Sequence, residues 1–392
     1  MTRTKRLAVF VVCHTAFGQG VVRGVMRYCK THGSWEIEVE PEHTPATLAR
    51  VLEAVEHSDF DGIISEIWYS NQLRALQAVG IPSVEVSGSW DTMNPVRVQS
   101  DNEAVGRLAA RHLMERGLRN FAYFAVTFRA QPVLHVRQRR QAFVSELRRH
   151  GHDCDVFMPT LSLRYVAGAS TEQGPLIRWL TSLPKPVGLL CPTDFQVKQV
   201  ILAARQGNIR IPEEVALVGV GNDEFTCEIC SVPISSVDLA PLRTGYVAAS
   251  VIDRMCHGRT PPKRPVLVEP AGVIVRQSSD ILTAENPCVT GALRFIQLHA
   301  QSPIEVRDVL KEIPISRRAL EHNFKALLGR TPSQHIFHVR VEMAKRMLVE
   351  TGLPLAVVAE RCGFTSASIF SAIFRRSMGL RPGEYRRQYR VG

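Results

Sequence analysis

Two stretches near the C-terminal end of this chain repeat one another at an offset of 50 residues, and nothing else in the sequence restricts the fold so much. Ser316 aligns with Ser366, Leu320 with Phe370, Phe324 with Phe374, Lys325 with Arg375, Gly329 with Gly379 and Pro332 with Pro382. A unit repeated at this period is one supersecondary element used twice. In each copy the serine oxygen can accept from the orphan N–H groups of a first helical turn. Apolar residues four apart fall on one helix face and pack inward. Glycine then ends the helix, and proline opens the next segment. The pattern predicts a shorter amphipathic helix before each cap, over residues 304–312 and 355–362. Gly363 supplies the turn of the second copy, and Ile313-Pro314 holds that place in the first. Short helix, tight turn, capped second helix is the helix-turn-helix plan. Residues 332–350 join the two copies.

Charge lies where that plan would use it. From Val289 onward there are 17 lysines and arginines against 8 acidic residues, so +9 of the formal +11 falls in the last quarter of the chain. These charges are interleaved with regularly spaced apolar residues, which makes them one face of a folded basic domain and points to a polyanion partner. Opposite the apolar face of the first long helix stand Arg317, Arg318, Glu321, His322 and Lys325. On the second stand Ser366, Ala367, Ser368, Ser371, Ala372 and Arg375. Such faces enter the major groove of duplex DNA, where arginine forks onto guanine and small residues touch a thymine methyl. Two solvated faces on a plain helical bundle are the other reading; the repeat, the caps and the charge oppose it. Residues 304–389 resemble the AraC/XylS DNA-binding domain, on Ala359, Gly363-Phe364, Phe370, Phe374, Gly379, Pro382 and Tyr385-Arg386. The resemblance implies that both second helices read successive major-groove segments on one face of the DNA. Ala372 departs from the arginine common there, and Ala367 from a larger polar residue. More of the base readout is therefore expected from Arg318, Glu321 and His322, and more shape and phosphate contact from the second helix.

Residues 1–276 have a different texture. Short apolar runs at 7–12, 62–64, 83–86, 121–125, 188–191 and 216–219 alternate with amphipathic stretches such as 20–31, 104–116 and 138–149. Buried strands alternating with helices predict α/β architecture with parallel sheets, and the length of the segment predicts two lobes. Residues 278–287 (SSDILTAENP) are polar and end in proline, which reads as a linker. The expected organisation is a two-lobed α/β domain over 1–276, a linker over 277–288 and an all-α double helix-turn-helix domain over 289–392. Arg3, Lys5 and Arg6 precede an apolar stretch, but it runs only from 7 to 13 before His14, so a buried first strand is expected rather than a signal peptide. No apolar run approaches the roughly 20 residues of a membrane span. No membrane partner is expected, and the expected compartment is the cytoplasm. The nine cysteines are scattered and odd in number, which suits reduced thiols. Cys227 and Cys230 form a single CxxC with no second pair, weak grounds for a metal. There is no P-loop, G-x-S-x-G or H-E-x-x-H, so neither an enzyme nor a cofactor is expected.

Residues 187–194 (VGLLCPTD), 211–223 (IPEEVALVGVGND) and 235–238 (SSVD) resemble the effector domain of LacI-type regulators, which has the two-lobed periplasmic-binding-protein fold. Ser100-Asp101-Asn102, Gly106 and His112-Leu113 agree with the helix after that domain's fourth strand. Arg139, three residues before Ala142-Phe143, sits where the family keeps a ligand-binding arginine. The resemblance implies a small-molecule effector, a sugar or polyol, held between the lobes at the carboxyl ends of strands. There Arg139 can fork onto ring hydroxyls, Asn222 and Asp223 can donate or accept, and Thr193 and Asp194 end a further strand. Phe17, Trp68 and Tyr69 can stack on a sugar face, with Gln19 beside Phe17. Trp68 as core and Asp194 as a helix cap are the competing assignments. Gly18 and Gly221 stand where sugar-binding relatives commonly place aspartate, and a ligand hydroxyl left unpaired costs roughly 1–3 kcal/mol. Sensor first and AraC-type domain last resembles the regulators of xylose catabolism. That order implies a sugar-responsive homodimer that binds an operator and, as an activator, RNA polymerase, at a carbohydrate (xylose-like) catabolic operon. A repressor, or a response to a different small polar ligand, is the alternative.

Overall fold

The computed structural model describes residues 4–33, 35–40, 60–67, 70–78, 80–89, 91, 96–127, 133–160, 173–281, 287–328 and 330–389. The chain divides into two compact units, one of residues 1–111 and 120–279 and the other of residues 280–391 with the short segment 112–119.

The first unit is built on two six-stranded sheets. The first holds β1 (Lys5–Phe10), β2 (Trp35–Glu40), β3 (Gly62–Ser65), β4 (Ser83–Glu85), β5 (Val96–Ser100) and β11 (Val266–Val268), in the order β11-β5-β4-β3-β1-β2. The second holds β6 (Asn120–Phe124), β7 (Cys154–Phe157), β8 (Val187–Leu190), β9 (Val215–Val220), β10 (Ser235–Asp238) and β12 (Gly272–Ile274), in the order β12-β10-β9-β8-β6-β7. All pairings are parallel except β10 with β12. Helices cover the sheets: α1 (Ala16–Thr31), α2 (Ser70–Ala78), α3 (Asn102–Met114), α4 (Leu134–Arg149), α5 (Gly174–Ser182), α6 (Asp194–Gln206), α7 (Glu224–Ile229) and α8 (Pro241–Cys256). Strands buried on both faces read as unbroken apolar runs, as in β9, VALVGV, where all six residues are buried. The apolar stretch after Arg3 is β1, buried from Leu7 to Phe10.

The sheets form two lobes, and the chain passes between them three times: after β5, after β10 and after β11. α8 lies along α1 in the first lobe. α3 packs on α4 in the second, where Arg111 pairs with Glu146 at 2.7 Å. At the crossings Asp101 N donates to Val268 O at 2.8 Å, and Ala271 N to Asp238 O at 2.9 Å. The three connections therefore brace one another as a hinge. In each sheet the strand order reverses, between β1 and β3 and between β6 and β8, and the crevice beyond such a reversal is where open α/β sheets hold ligands.

Gln277–Ser279 forms a 3₁₀ turn docked on the second sheet. Ser278 Oγ donates to Leu217 O and accepts from Ser235 N. Within the stretch expected as linker, Ser278 and Ser279 are thus buried in the first unit, and Ser278, polar in the sequence, is satisfied by strand backbone. Residues 282–286 lie outside the described residues.

The second unit is all helical: α9 (Pro287–His299), α10 (Val306–Glu312), α11 (Arg317–Leu328), α12 (Pro332–Glu350), α13 (Leu355–Arg361), α14 (Ala367–Met378) and α15 (Pro382–Tyr389). The repeat has its expected physical basis. Leu320 and Phe370, and Phe324 and Phe374, are all fully buried. Pro332 and Pro382 each open a helix. The two copies keep separate cores, one around Val309, Leu320 and Phe324 and the other around Val358, Phe370 and Phe374.

Candidate ligand cleft and nucleic-acid interface

Beyond β8 and β9, a network of short loops gathers polar side chains at the mouth of the crevice. Arg139 projects from α4 and is 6% exposed. Its Nη1 donates to Pro192 O at 2.7 Å and its Nε to Asn102 Oδ1 at 2.9 Å. Burial lowers its pKa to about 10, which leaves it cationic at neutral pH with N–H groups still to offer. Thr193 caps α6 through Gln196 N. Asp194 is buried; Oδ1 accepts from Ser236 Oγ at 2.6 Å and Oδ2 from Asp223 N at 2.9 Å. Burial raises its pKa. Asn222 has a left-handed backbone, φ 51°. Its N–H donates to Ser236 Oγ, and its side-chain oxygen accepts from Arg276 Nη2 at 3.0 Å. Asp223 reaches furthest. Oδ1 caps α7 through Thr226 N, and Oδ2 accepts from Ala16 N of α1, in the opposite lobe, at 3.0 Å.

The facing wall comes from the end of β1 and the start of α1. Thr15 caps α1 through Gly18 N and donates to Val12 O. Glu66, just past β3, is buried and accepts from Val12 N at 3.0 Å. Phe17 is half-buried on the core of its lobe, and the exposed Gln19 donates to Cys13 O at 3.0 Å.

In the second unit the two longer helices of the repeat each present an open face from a capped start. Ser316 Oγ accepts from Ala319 N at 3.3 Å, and Ser366 Oγ from Ile369 N at 3.2 Å. Arg317, Arg318, His322 and Lys325 are exposed on α11. Arg317 pairs with Glu321 one turn on at 2.9 Å, so the carboxylate steadies the guanidinium on that face. On α14, Ala367, Ser368, Ala372 and Arg375 are exposed and Ser371 is half-buried.

Residues 110–279 match the periplasmic binding protein-like domain family, and residues 309–388 match a helix-turn-helix domain family. The chain is 27% identical over 387 residues to the xylose operon regulatory protein of Haemophilus influenzae, covering 97% of this chain and 98% of that one. It is 28% identical over 392 residues to the protein of the same description in Escherichia coli, covering 98% and 97%. A solved structure of the xylose-binding transcription activator XylR matches with a TM-score of 0.62 at 27% identity, covering 99% of both chains. The chain is a DNA-binding transcription regulator with a periplasmic-binding-protein-like sensor domain and an AraC-type helix-turn-helix domain.

In this regulator Arg139 of α4 falls together with Thr193 and Asp194, which follow β8, and with Asn222 and Asp223, which follow β9. The oxygens of Asp194 are both engaged by protein donors, and so are those of Asp223. They hold the loops in place, and Arg139 keeps N–H groups that no described residue takes up. Trp68 and Tyr69 lie outside the described residues. The two departures from aspartate have steric causes. A Cβ on Gly18 would stand 2.1 Å from Val12 O. Gly221 has φ +128°, and its Cβ would approach Asp194 Oδ2 to 3.3 Å, where a second carboxylate would meet the first.

Three residues escaped the sequence reading. Glu66 follows a strand that looked only apolar, GIIS. His135 precedes Arg139 by one helical turn; its Nδ1 is buried with no partner among the described residues, and burial and Arg139 push its pKa down to about 3. The spacing of four from Arg139 was the available signal. Ile369, 44% exposed on α14, was hidden among the apolar residues assumed to pack inward. Among the described residues no helix is long and apolar enough to cross a membrane.

Proposed function

We propose that this regulator is a cytoplasmic homodimer that binds a sugar, with a pentose such as xylose as the leading class, and activates a carbohydrate catabolic operon through RNA polymerase. The observation that carries the reading is the buried Arg139 guanidinium beyond β8, with N–H groups that no described residue takes up and the neutral His135 one turn away. Relatives described as xylose operon regulatory proteins, similar over nearly their full length, support it. The proposed effector contacts are Arg139, Asn222, Gln19, Phe17, Thr193 and Trp68, with Asp194 and Asp223 holding the loops that present them. The proposed DNA contacts are Arg317, Arg318, Glu321, His322, Lys325, Ser366, Ala367, Ser368, Ser371, Ala372 and Arg375. Effector binding regulates because it favours one lobe arrangement over another.

The dimer is proposed on the outer face of α6 and α7. Phe225 is 77% exposed, Ile229 62%, Phe195 54% and Leu202 42%. α6 also carries exposed Lys198 and Arg205, and α7 exposed Glu224 and Glu228. A two-fold axis through this face sets the basic helix of one copy on the acidic helix of the other, the self-complementarity that an isologous interface requires.

A thermal-shift panel of pentoses, hexoses and polyols tests the effector, since ligand bound only to the folded state raises the melting temperature. Xylose or a related pentose is expected to give the largest shift. No shift across the panel would end the sugar reading and leave DNA binding standing. A second reading, a different small polar effector, draws on Gly18 and Gly221, because neither position can carry the carboxylate a sugar hydroxyl would use.

A further inference from the structure

Both helix-turn-helix copies meet at one buried arginine. α12 runs from the first core, at Ile336, into the second, at Val341, Ala344 and Leu348. Arg340 stands between them and is 4% exposed. Its Nε donates to Ala300 O at 3.0 Å, and its Nη2 to Ser302 O at 2.8 Å and Ile304 O at 3.0 Å. Those carbonyls belong to the loop between α9 and α10, in the first copy. The same guanidinium lies over the ring of Phe364, 5.9 Å from its centroid, in the turn of the second copy. Gly363 in that turn has φ +74°, and a Cβ there would stand 2.3 Å from Ala300 O and 2.7 Å from Ser302 O. Backbone of the second copy is thus pressed against backbone of the first, with Arg340 bonded to one side and stacked on the other.

We propose that Arg340 is a positioning residue that fixes the separation and orientation of the recognition helices α11 and α14, so that they engage DNA as one rigid reader. Apolar packing of two cores along α12 is non-directional and tolerates small rotations. Three bonds from a planar cation to carbonyls of one loop do not, because the fork geometry is fixed. Rigidity matters for a two-part site. Two readers held at the correct separation bind the second subsite at high effective concentration, and loosening them spreads that advantage over many separations. Arg340 acts through the helices it places, not on the DNA.

The test uses the full-length chain and an operator selected with it from a randomised duplex library. Duplexes are then made with one or two base pairs inserted or removed between the two subsites, and one with the second subsite scrambled. Arg340→Met is expected to bind the native spacing about tenfold more weakly, to bind the single-subsite duplex as wild type does, and to lose most of its preference for native spacing. Arg340→Lys, which keeps the charge without the fork, is expected to fall between. A sharp native optimum in Arg340→Met overturns the proposal. So does an equal loss on single-subsite and full duplexes, which marks a folding role alone. If circular dichroism shows Arg340→Met unfolded, Arg340→Lys decides. A flattened spacing profile with unchanged single-subsite affinity supports the positioning role, and a wild-type profile refutes it.

Discussion

Asp223 uses its two carboxylate oxygens on two different lobes. Oδ1 caps α7 and Oδ2 takes the Ala16 N–H at the start of α1. Burial alone would raise its pKa, but the N–H groups of Thr226 and Ala16 outweigh burial and hold it below the usual carboxylate range. A group depressed in this way stabilises the folded state fully above its unfolded pKa of about 4, and that contribution is lost as pH falls through the lower folded value. Asp223→Asn separates the two bonds, since an amide has one acceptor oxygen: enough to cap Thr226, not enough to take Ala16 N–H as well. Its apparent effector affinity is expected to fall about tenfold, the scale of one charge-assisted hydrogen bond, read by calorimetry. Its deficit in melting temperature should be full at neutral pH and vanish in acid. Unchanged affinity would show that this bond plays no part in the effector-bound arrangement. The residue itself was legible in the sequence as a pocket acid, but its partner was not. Ala16 is 207 residues away, and a backbone N–H leaves no trace in a sequence. Asp194 was obscured in the same way, because what engages it, Ser236 and Asp223 N, arrives through the strand order.

At the scale of elements, α11 and α14 show which parts of a pattern carry over into structure. Caps and buried positions were readable because they repeat, and a repeat fixes the helical phase twice over. Polar or half-exposed strands were not readable: β5 (VRVQS) is wholly buried although Arg97 and Gln99 lie within it, and β2 (WEIEVE) is alternately exposed. Neither forms the continuous apolar run by which β1, β3, β4, β6, β8 and β9 announced themselves, and β7 (CDVF), β10 (SSVD) and the short β11 (VLV) went unread as well. Ile369 was concealed for the opposite reason, as an apolar residue in a helix whose apolar positions were expected to pack inward. Two kinds of substitution separate holding a recognition helix from reading with it. Ser316→Ala and Ser366→Ala each remove a cap worth about 1 kcal/mol. Hydrogen exchange in the first turn of the affected helix should rise about fivefold, with a smaller loss of operator affinity. Ile369→Ser should leave exchange unchanged and weaken operator binding, because an exposed apolar side chain on that face is placed to meet a thymine methyl. Equal operator binding by Ile369→Ser and wild type would remove Ile369 from the interface.

At the scale of the whole molecule, the order of sensor and DNA-binding domain was plain in the sequence, since a change from alternating strands and helices to helices alone needs no contact information. How copies assemble was not, because an exposed apolar face looks like any amphipathic helix until the core side is known. Val197, Val200 and Ile201 of α6 face the core of the second lobe, which leaves Phe195 and Leu202 outward beside Phe225 and Ile229. Scattered exposed apolar residues are ordinary, whereas several on adjacent helices mark a contact surface. Phe225→Lys with Ile229→Lys places two ammonium groups on the face that would meet the basic helix α6 of a second copy, so that copy would meet like charge as well as lose apolar burial. Analytical ultracentrifugation is expected to find the wild type as a dimer and this variant as a monomer at the same concentration. Its melting temperature should still rise with effector, since Arg139 and Asp223 are untouched. Binding to paired half-sites should drop about a hundredfold through lost avidity, while binding to a single half-site is retained. A variant that stays dimeric places the copy-to-copy contact elsewhere on the sensor. One that becomes monomeric yet binds paired half-sites as tightly as before shows that operator binding does not draw on the dimer.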